Sequence, residues 1–183
     1  MVTAEVVPWD AGTVARELLD AGAVRFGEFT LASGAKSDVY IDVKRAWPDP
    51  RRLDGLARAL AARLGDEELL AGMELGAVPL VVAVALLARR PFVVLRKAPK
   101  EHGTRQPFEG AIPAGARVLL LEDTTTTGGT LVRSVEIVRA AGGRADRVVT
   151  VVDREEGATE ALAAVGVRLE HLVTLAELRA ARR

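Results

Sequence analysis

Residues 118–130 read V-L-L-L-E-D-T-T-T-T-G-G-T. The apolar run 118–121 fits a strand buried on both faces of a parallel sheet. Glu122 and Asp123 stand at its end, four threonines and two glycines make a turn, and a helix is expected over 129–141, with Leu131, Val132, Val135, Ile137 and Val138 on it and Gly142-Gly143 closing it. Working outward, strands are expected at 69–73, 92–96, 148–152 and 167–172, and helices at 77–89 and 155–165, with Thr174 capping a last helix. Alternation of this kind implies an α/β domain with a mostly parallel central sheet flanked by helices. Before it come a helix at 10–21, a hairpin-like strand pair at 26–43 and a helix at 48–65. The strand pair interrupts the alternation and is expected to form a small appendage.

One domain is expected over 1–183, since domains commonly run about 100–200 residues. With 49% hydrophobic and 27% charged residues the chain is expected to fold as a soluble globule. Lys plus Arg balance Asp plus Glu at 25 each, so no global basic field exists to hold nucleic acid. The absence of cysteine excludes disulfides, thiolate metal sites and a Cys nucleophile. The start lacks the pattern of a signal peptide. The nearly apolar stretch 77–88 is 12 residues long, short of the roughly 20 that span a membrane. No membrane association is expected, and a cytoplasmic location is.

Strand ends in open α/β sheets carry the ligands, and a helix N-terminus presents free N–H groups to a phosphate. Gly128 and Gly129 permit close backbone approach, and Thr126, Thr127 and Thr130 add hydroxyl donors. No Gly-Lys-Ser/Thr follows, which excludes a Walker loop and disfavours a Mg²⁺-nucleotide hydrolase. Two carboxylates beside a phosphate make sense if the ligand presents hydroxyls or Mg²⁺ there, as a sugar phosphate does. A second cationic cluster, Arg96, Lys97, Lys100 and His102, opens the stretch 97–115, which has no apolar periodicity and is expected to be a loop. Only four of the 25 basic residues are lysines, and two of them sit here.

The segment 118–130 resembles the phosphoribosyl diphosphate signature of type I phosphoribosyltransferases. Three further motifs resemble the orotate branch of that family: F-G-E-F-T-L-A-S-G at 26–34, R-K-A-P-K-E-H-G at 96–103 and D-R-E-E-G-A at 153–158. The resemblance runs from about residue 26 to 172, with the four motifs in family order. It implies the type I phosphoribosyltransferase fold, with an N-terminal helix and hood over about 1–45, a core over 46–183 and a mobile catalytic loop over 97–110. It implies transfer of phosphoribose from 5-phosphoribosyl 1-diphosphate to orotate, with Mg²⁺, in pyrimidine biosynthesis, by a homodimer whose loop is shared across the interface, Lys97 included.

By that resemblance Arg96, Lys97, Lys100 and His102 meet the pyrophosphate. Glu122 and Asp123 bind the ribose hydroxyls and orient Mg²⁺ through water rather than ligating it. Thr124, Thr125, Thr126, Thr127, Gly128, Gly129 and Thr130 hold the 5′-phosphate, and Thr126 also matches a position that touches orotate. Lys97, Lys100, His102 and Asp123 are the expected catalytic set. Arg154 pairs with the orotate carboxylate, Tyr40 and Ile41 line the ring, and the turn at 74–78 meets the pyrophosphate from the far side. The chain departs from some relatives in having Ala32 where they have lysine, with Lys36 a candidate replacement, and in having Tyr40-Ile41 where two phenylalanines are common. His171 is expected to be structural. Two alternatives remain open: a phosphoribosyltransferase for another base, and a non-catalytic regulator that senses phosphoribosyl diphosphate.

Overall fold

The computed structural model describes residues 8–30, 34, 36–98 and 106–182. The chain begins with α1 (Ala11–Asp20), capped by the Asp10 carboxylate, which accepts from the Thr13 N–H at 2.7 Å. Strands β1 (Val24–Thr30) and β2 (Lys36–Ile41) pair antiparallel as a separate two-stranded sheet, the expected appendage. A 3-10 turn, Val43–Ala46, leads to α2 (Pro50–Ala61), which starts on an Asp49 cap with Pro at its first position. Then follow β3 (Leu69–Met73), α3 (Val78–Ala88), β4 (Phe92–Leu95), β5 (Phe108–Glu109), β6 (Arg117–Thr125), α4 (Gly129–Ala140), β7 (Arg144–Asp153), α5 (Ala158–Ala163), β8 (Arg168–Thr174) and α6 (Leu175–Ala180).

The main sheet has the order β5-β4-β3-β6-β7-β8, parallel except for β5. Its side chains alternate between two cores, as strand geometry requires. In β6, Leu119 and Leu121 join a core with α1, α2, α3 and α6, whereas Val118 and Leu120 join a second core with α4 and α5. Beyond these leucines the strand carries Glu122 and Asp123, which line one cavity together. The α6 N-terminus is closed by a reciprocal capping box between Thr174 and Glu177.

Four expectations are corrected. The central strand does not stop at residue 121: pairing with β7 carries it through Thr125, with Glu122 opposite Thr150 and Thr125 opposite Asp153. β-Branched threonines suit that extension. The stretch 97–115 is not wholly irregular, because β5 returns along β4 with Leu95 opposite Phe108. The helix expected at 48–65 spans only Pro50–Ala61, and the one at 155–165 shrinks to Ala158–Ala163. In the latter case Glu155 and Gly157 both have positive φ (58° and 100°), which delays the helix.

The hood formed by β1 and β2 is braced from the C-terminal end. Arg179 of α6 grips Asp38 with two hydrogen bonds of 2.8 Å. The Arg182 guanidinium lies 4.9 Å from the centre of the Phe26 ring. Within the hood, Arg25 lies over both Phe29 (5.7 Å) and Tyr40 (5.0 Å).

Candidate active site

Two adjoining cavities open at the carboxyl ends of β3 and β6, where ligands of open α/β sheets bind. The larger, about 290 Å³, is lined by Lys44, Met73, Glu74, Leu75, Gly76, Lys97, Glu122, Asp123, Thr124 and Thr130. The smaller, about 90 Å³, is lined by Glu122 and residues 124–131. Glu122, Thr124 and Thr130 border both, so the two form one continuous site.

The smaller cavity is a phosphate-sized cradle at the N-terminus of α4. Gly128 caps that helix with φ 82° and no side-chain hydrogen bond, so the first-turn N–H groups are left for a ligand. A Cβ at Gly128 would sit 3.0 Å from the Ala158 Cα, so close packing on α5 also demands glycine. The larger cavity is walled by the β3–α3 turn. Gly76 lets the Asp123 carboxylate approach so closely that a Cβ at Gly76 would lie 2.6 Å from it. The Lys97 N–H donates to the Glu74 carboxylate at 2.9 Å, which fixes the start of the following loop against the same turn.

Burial pushes the Glu122 carboxyl well above the usual carboxylate range, and the neighbouring Asp123 raises it further. Hydrogen bonding to Asp42, with the more distant Asp123 adding to it, likewise holds the Lys44 ammonium above the ordinary lysine value. The site is therefore an acidic floor, a ring of N–H and hydroxyl donors, and two lysines. It can bind a sugar hydroxyl pair between two phosphate groups.

Residues 48–171 match the phosphoribosyl transferase domain. The chain is 51% identical over 163 residues to an orotate phosphoribosyltransferase of Methanocorpusculum labreanum, covering 89% of this chain and 95% of that protein. This chain belongs to the orotate phosphoribosyltransferase family. A crystal structure of orotate phosphoribosyltransferase from Aeropyrum pernix superposes with a TM-score of 0.80 at 35% identity, covering 90% of this chain and 95% of the other. The Mycobacterium tuberculosis H37Rv orotate phosphoribosyltransferase in complex with 5-phospho-alpha-D-ribosyl 1-diphosphate gives 0.75 at 34% identity, covering 93% and 99%. The α/β fold with a mostly parallel sheet is the type I phosphoribosyltransferase fold of these relatives.

Against that family pattern, the structure brings together Lys97, Glu122, Asp123 and residues 124–130 around the two cavities. Residues 74–76 of the expected turn at 74–78 also line the larger cavity. Lys97 lines the larger cavity of its own chain. Four other expected residues line neither cavity. Arg96 pairs with Glu109 at 3.1 Å, because β5 returns beside it. Ile41 packs against the main core beneath the hood. Tyr40 is engaged by Arg25 and Phe29. Arg154 is anchored at the end of β7, where its N–H donates to the Thr125 carbonyl at 3.1 Å and its side chain, 10% exposed, binds Glu156 through Nε and Nη2. It thus stands beside the cradle strand rather than in the cradle. Lys100, His102 and Ala32 lie outside the described residues. Lys36 is exposed at the start of β2, opposite Thr30.

Sequence reasoning passed over Lys44, whose one faint signal is that it is among only four lysines in an arginine-preferring chain.

Proposed function

We propose that this protein catalyses the reaction of orotate with 5-phosphoribosyl 1-diphosphate to give orotidine 5′-phosphate and pyrophosphate, a step of pyrimidine biosynthesis. The observation that carries the reading is the contiguity of an acidic pair with a helix-capped phosphate cradle. Residues 124–130 hold the 5′-phosphate through N–H and hydroxyl donors. Asp123 and Glu122 accept hydrogen bonds from the ribose hydroxyls and stabilise the positive charge that develops at the anomeric carbon as the bond to pyrophosphate lengthens. Lys97 offsets the negative charge that accumulates on the leaving group, aided by Lys100, His102 and the β3–α3 turn. Because these groups face developing charges of opposite sign, they bind the transition state more strongly than the ground state.

Mg²⁺ fits this donor set. Adjacent carboxylates are hard oxygen ligands, and no group of three or more acidic or histidine side chains forms a cation cage among the described residues. The ion would be carried mainly by the diphosphate and water, with Glu122 and Asp123 as its nearest protein partners. When bound it supplies charge compensation to the pyrophosphate.

Arg154 is the proposed partner of the orotate carboxylate, for which its planar fork is shaped. A ligand carboxylate would share that fork with Glu156. Tyr40, on the hood, would close over the base from above. The functional unit is proposed to be a homodimer in which the loop past Lys97 serves the neighbouring subunit. An apolar surface supports this: α3 reads V-P-L-V-V-A-V-A-L-L-A, and Leu86 is 76% exposed with Leu87 and Phe92 also uncovered. No helix among the described residues is long and apolar enough to cross a membrane, and we place the activity in the cytoplasm. The whole chain acts as one domain, the hood over about 1–45 and the core over 46–183.

Replacing Arg154 tests the base assignment. Arg154→Ala should lower orotate kcat/KM by tens- to thousands-fold, from about 2–5 kcal/mol for a buried charge pair. Phosphoribosyl diphosphate affinity, measured by calorimetry, should hardly change. Arg154→Lys should recover little, since a point charge does not reproduce the fork. Undiminished orotate use by Arg154→Ala would remove orotate recognition from this residue.

A further inference from the structure

The larger cavity contains one further charged group, Lys44. Lys44 lines it together with Lys97, Asp123 and the β3–α3 turn. Its backbone is firmly held. Val43 and Ala46 on either side are buried, the Asp42 N–H donates to the Ala23 carbonyl at 2.7 Å, and the Arg45 N–H donates to the Asp42 carbonyl at 3.1 Å. The Asp42 carboxylate lies 2.6 Å from the Lys44 ammonium and steadies it, while the lysine side chain stays 47% exposed toward the cavity. The described lining carries three carboxylates, Glu74, Glu122 and Asp123, against two cations, Lys44 and Lys97. A diphosphate entering such a site requires both cations for charge balance.

Position selects which part of the substrate Lys44 meets. It borders the larger cavity with Lys97 and Glu74 and is absent from the lining of the cradle at 124–131. We propose that Lys44 is a pyrophosphate-binding residue, supplied from the joint between hood and core and steadied by Asp42. This inference rests on the phosphoribosyl-transfer reading. It gives the site a fixed cation on its hood side, opposite the one at the root of the loop. A cation on a rigid turn is pre-organised, so little ordering accompanies binding.

The test is calorimetric titration of the full chain with inorganic pyrophosphate and Mg²⁺, and separately with ribose 5-phosphate, for the parent, Lys44→Met and Lys44→Arg. Lys44→Met should weaken pyrophosphate binding about tenfold or more, the scale of one lost charged hydrogen bond. Lys44→Arg should stay within about threefold of the parent, because a guanidinium also serves phosphate. Ribose 5-phosphate, which reports the cradle, should stay within about twofold throughout, as that loop is untouched. Unchanged pyrophosphate affinity in Lys44→Met overturns the proposal. So does equal weakening of both probes, which would make Lys44 a purely structural partner of Asp42, and so does a parent that does not bind pyrophosphate. Orotate turnover by the parent is measured in parallel: a parent that binds pyrophosphate yet ignores orotate refutes the base assignment and leaves the Lys44 comparison readable.

Discussion

Glu122 shows how a single side chain can oppose the fold and serve the site. It is buried at the end of β6, and desolvation, with Asp123 adding to it, raises its pKa well above the usual value. A carboxyl whose folded pKa is raised contributes stability below its unfolded pKa, and that contribution is lost as pH rises through the folded pKa. The unliganded protein should therefore lose stability as pH climbs from the ordinary carboxylate range through the raised value. Glu122→Gln should flatten this slope and raise the melting temperature at neutral pH, while weakening ribose binding. Melting curves across pH check it: a parallel slope in parent and Glu122→Gln would show that Glu122 is not the titrating group. The pair was legible in the sequence because two acids after four apolar residues have no packing reason to be there. Lys44 was not, because its approach to the cavity depends on how the hood joins the core, which no local pattern encodes.

At the level of elements, the hood is the part held least by its own core. It is a two-stranded sheet, and such ribbons are marginal unless packed against something. Beyond the packing of Val24 and Val39 into the main core, it is tied to the C-terminal segment by the Asp38–Arg179 pair and the Phe26–Arg182 contact. Arg179→Ala should leave the melting temperature almost unchanged, since the pair is exposed and screened, yet raise the orotate KM several-fold by loosening the roof over the base. An unchanged KM would show that the hood is positioned without α6. The alternation of β3 to β8 with helices was readable from apolar runs and glycines. Less readable was the length of β6 and β7, set by their mutual pairing rather than by propensity. The two-residue strand β5 has no periodic signature at all and exists only because β4 offers an edge.

Across the whole molecule, the sheet separates a stabilising end from a functional one. At the amino ends of the strands, buried Glu67 pairs with Arg147, whose guanidinium also binds Glu170 at 3.0 Å and the Arg63 carbonyl at 2.9 Å. At the carboxyl ends lie the acidic pair, the cradle and the lysines. In the proposed homodimer the exposed apolar face of α3 is the surface offered to the second copy. Mixing Lys100→Ala chains with Asp123→Ala chains should then restore activity in the heterodimer, because one of its two sites regains both residues. A purified heterodimer with no recovery would confine each site to one chain. The reaction itself is tested by steady-state turnover of the parent protein with phosphoribosyl diphosphate, Mg²⁺ and each of orotate, uracil, adenine and hypoxanthine. Orotate should be consumed with one pyrophosphate released per nucleotide formed, and uracil should be used at least about a hundredfold less well, since it lacks the carboxylate that the Arg154 fork would bind. Use of another base as efficiently as orotate, or hydrolysis of phosphoribosyl diphosphate without transfer, would contradict the proposed reaction.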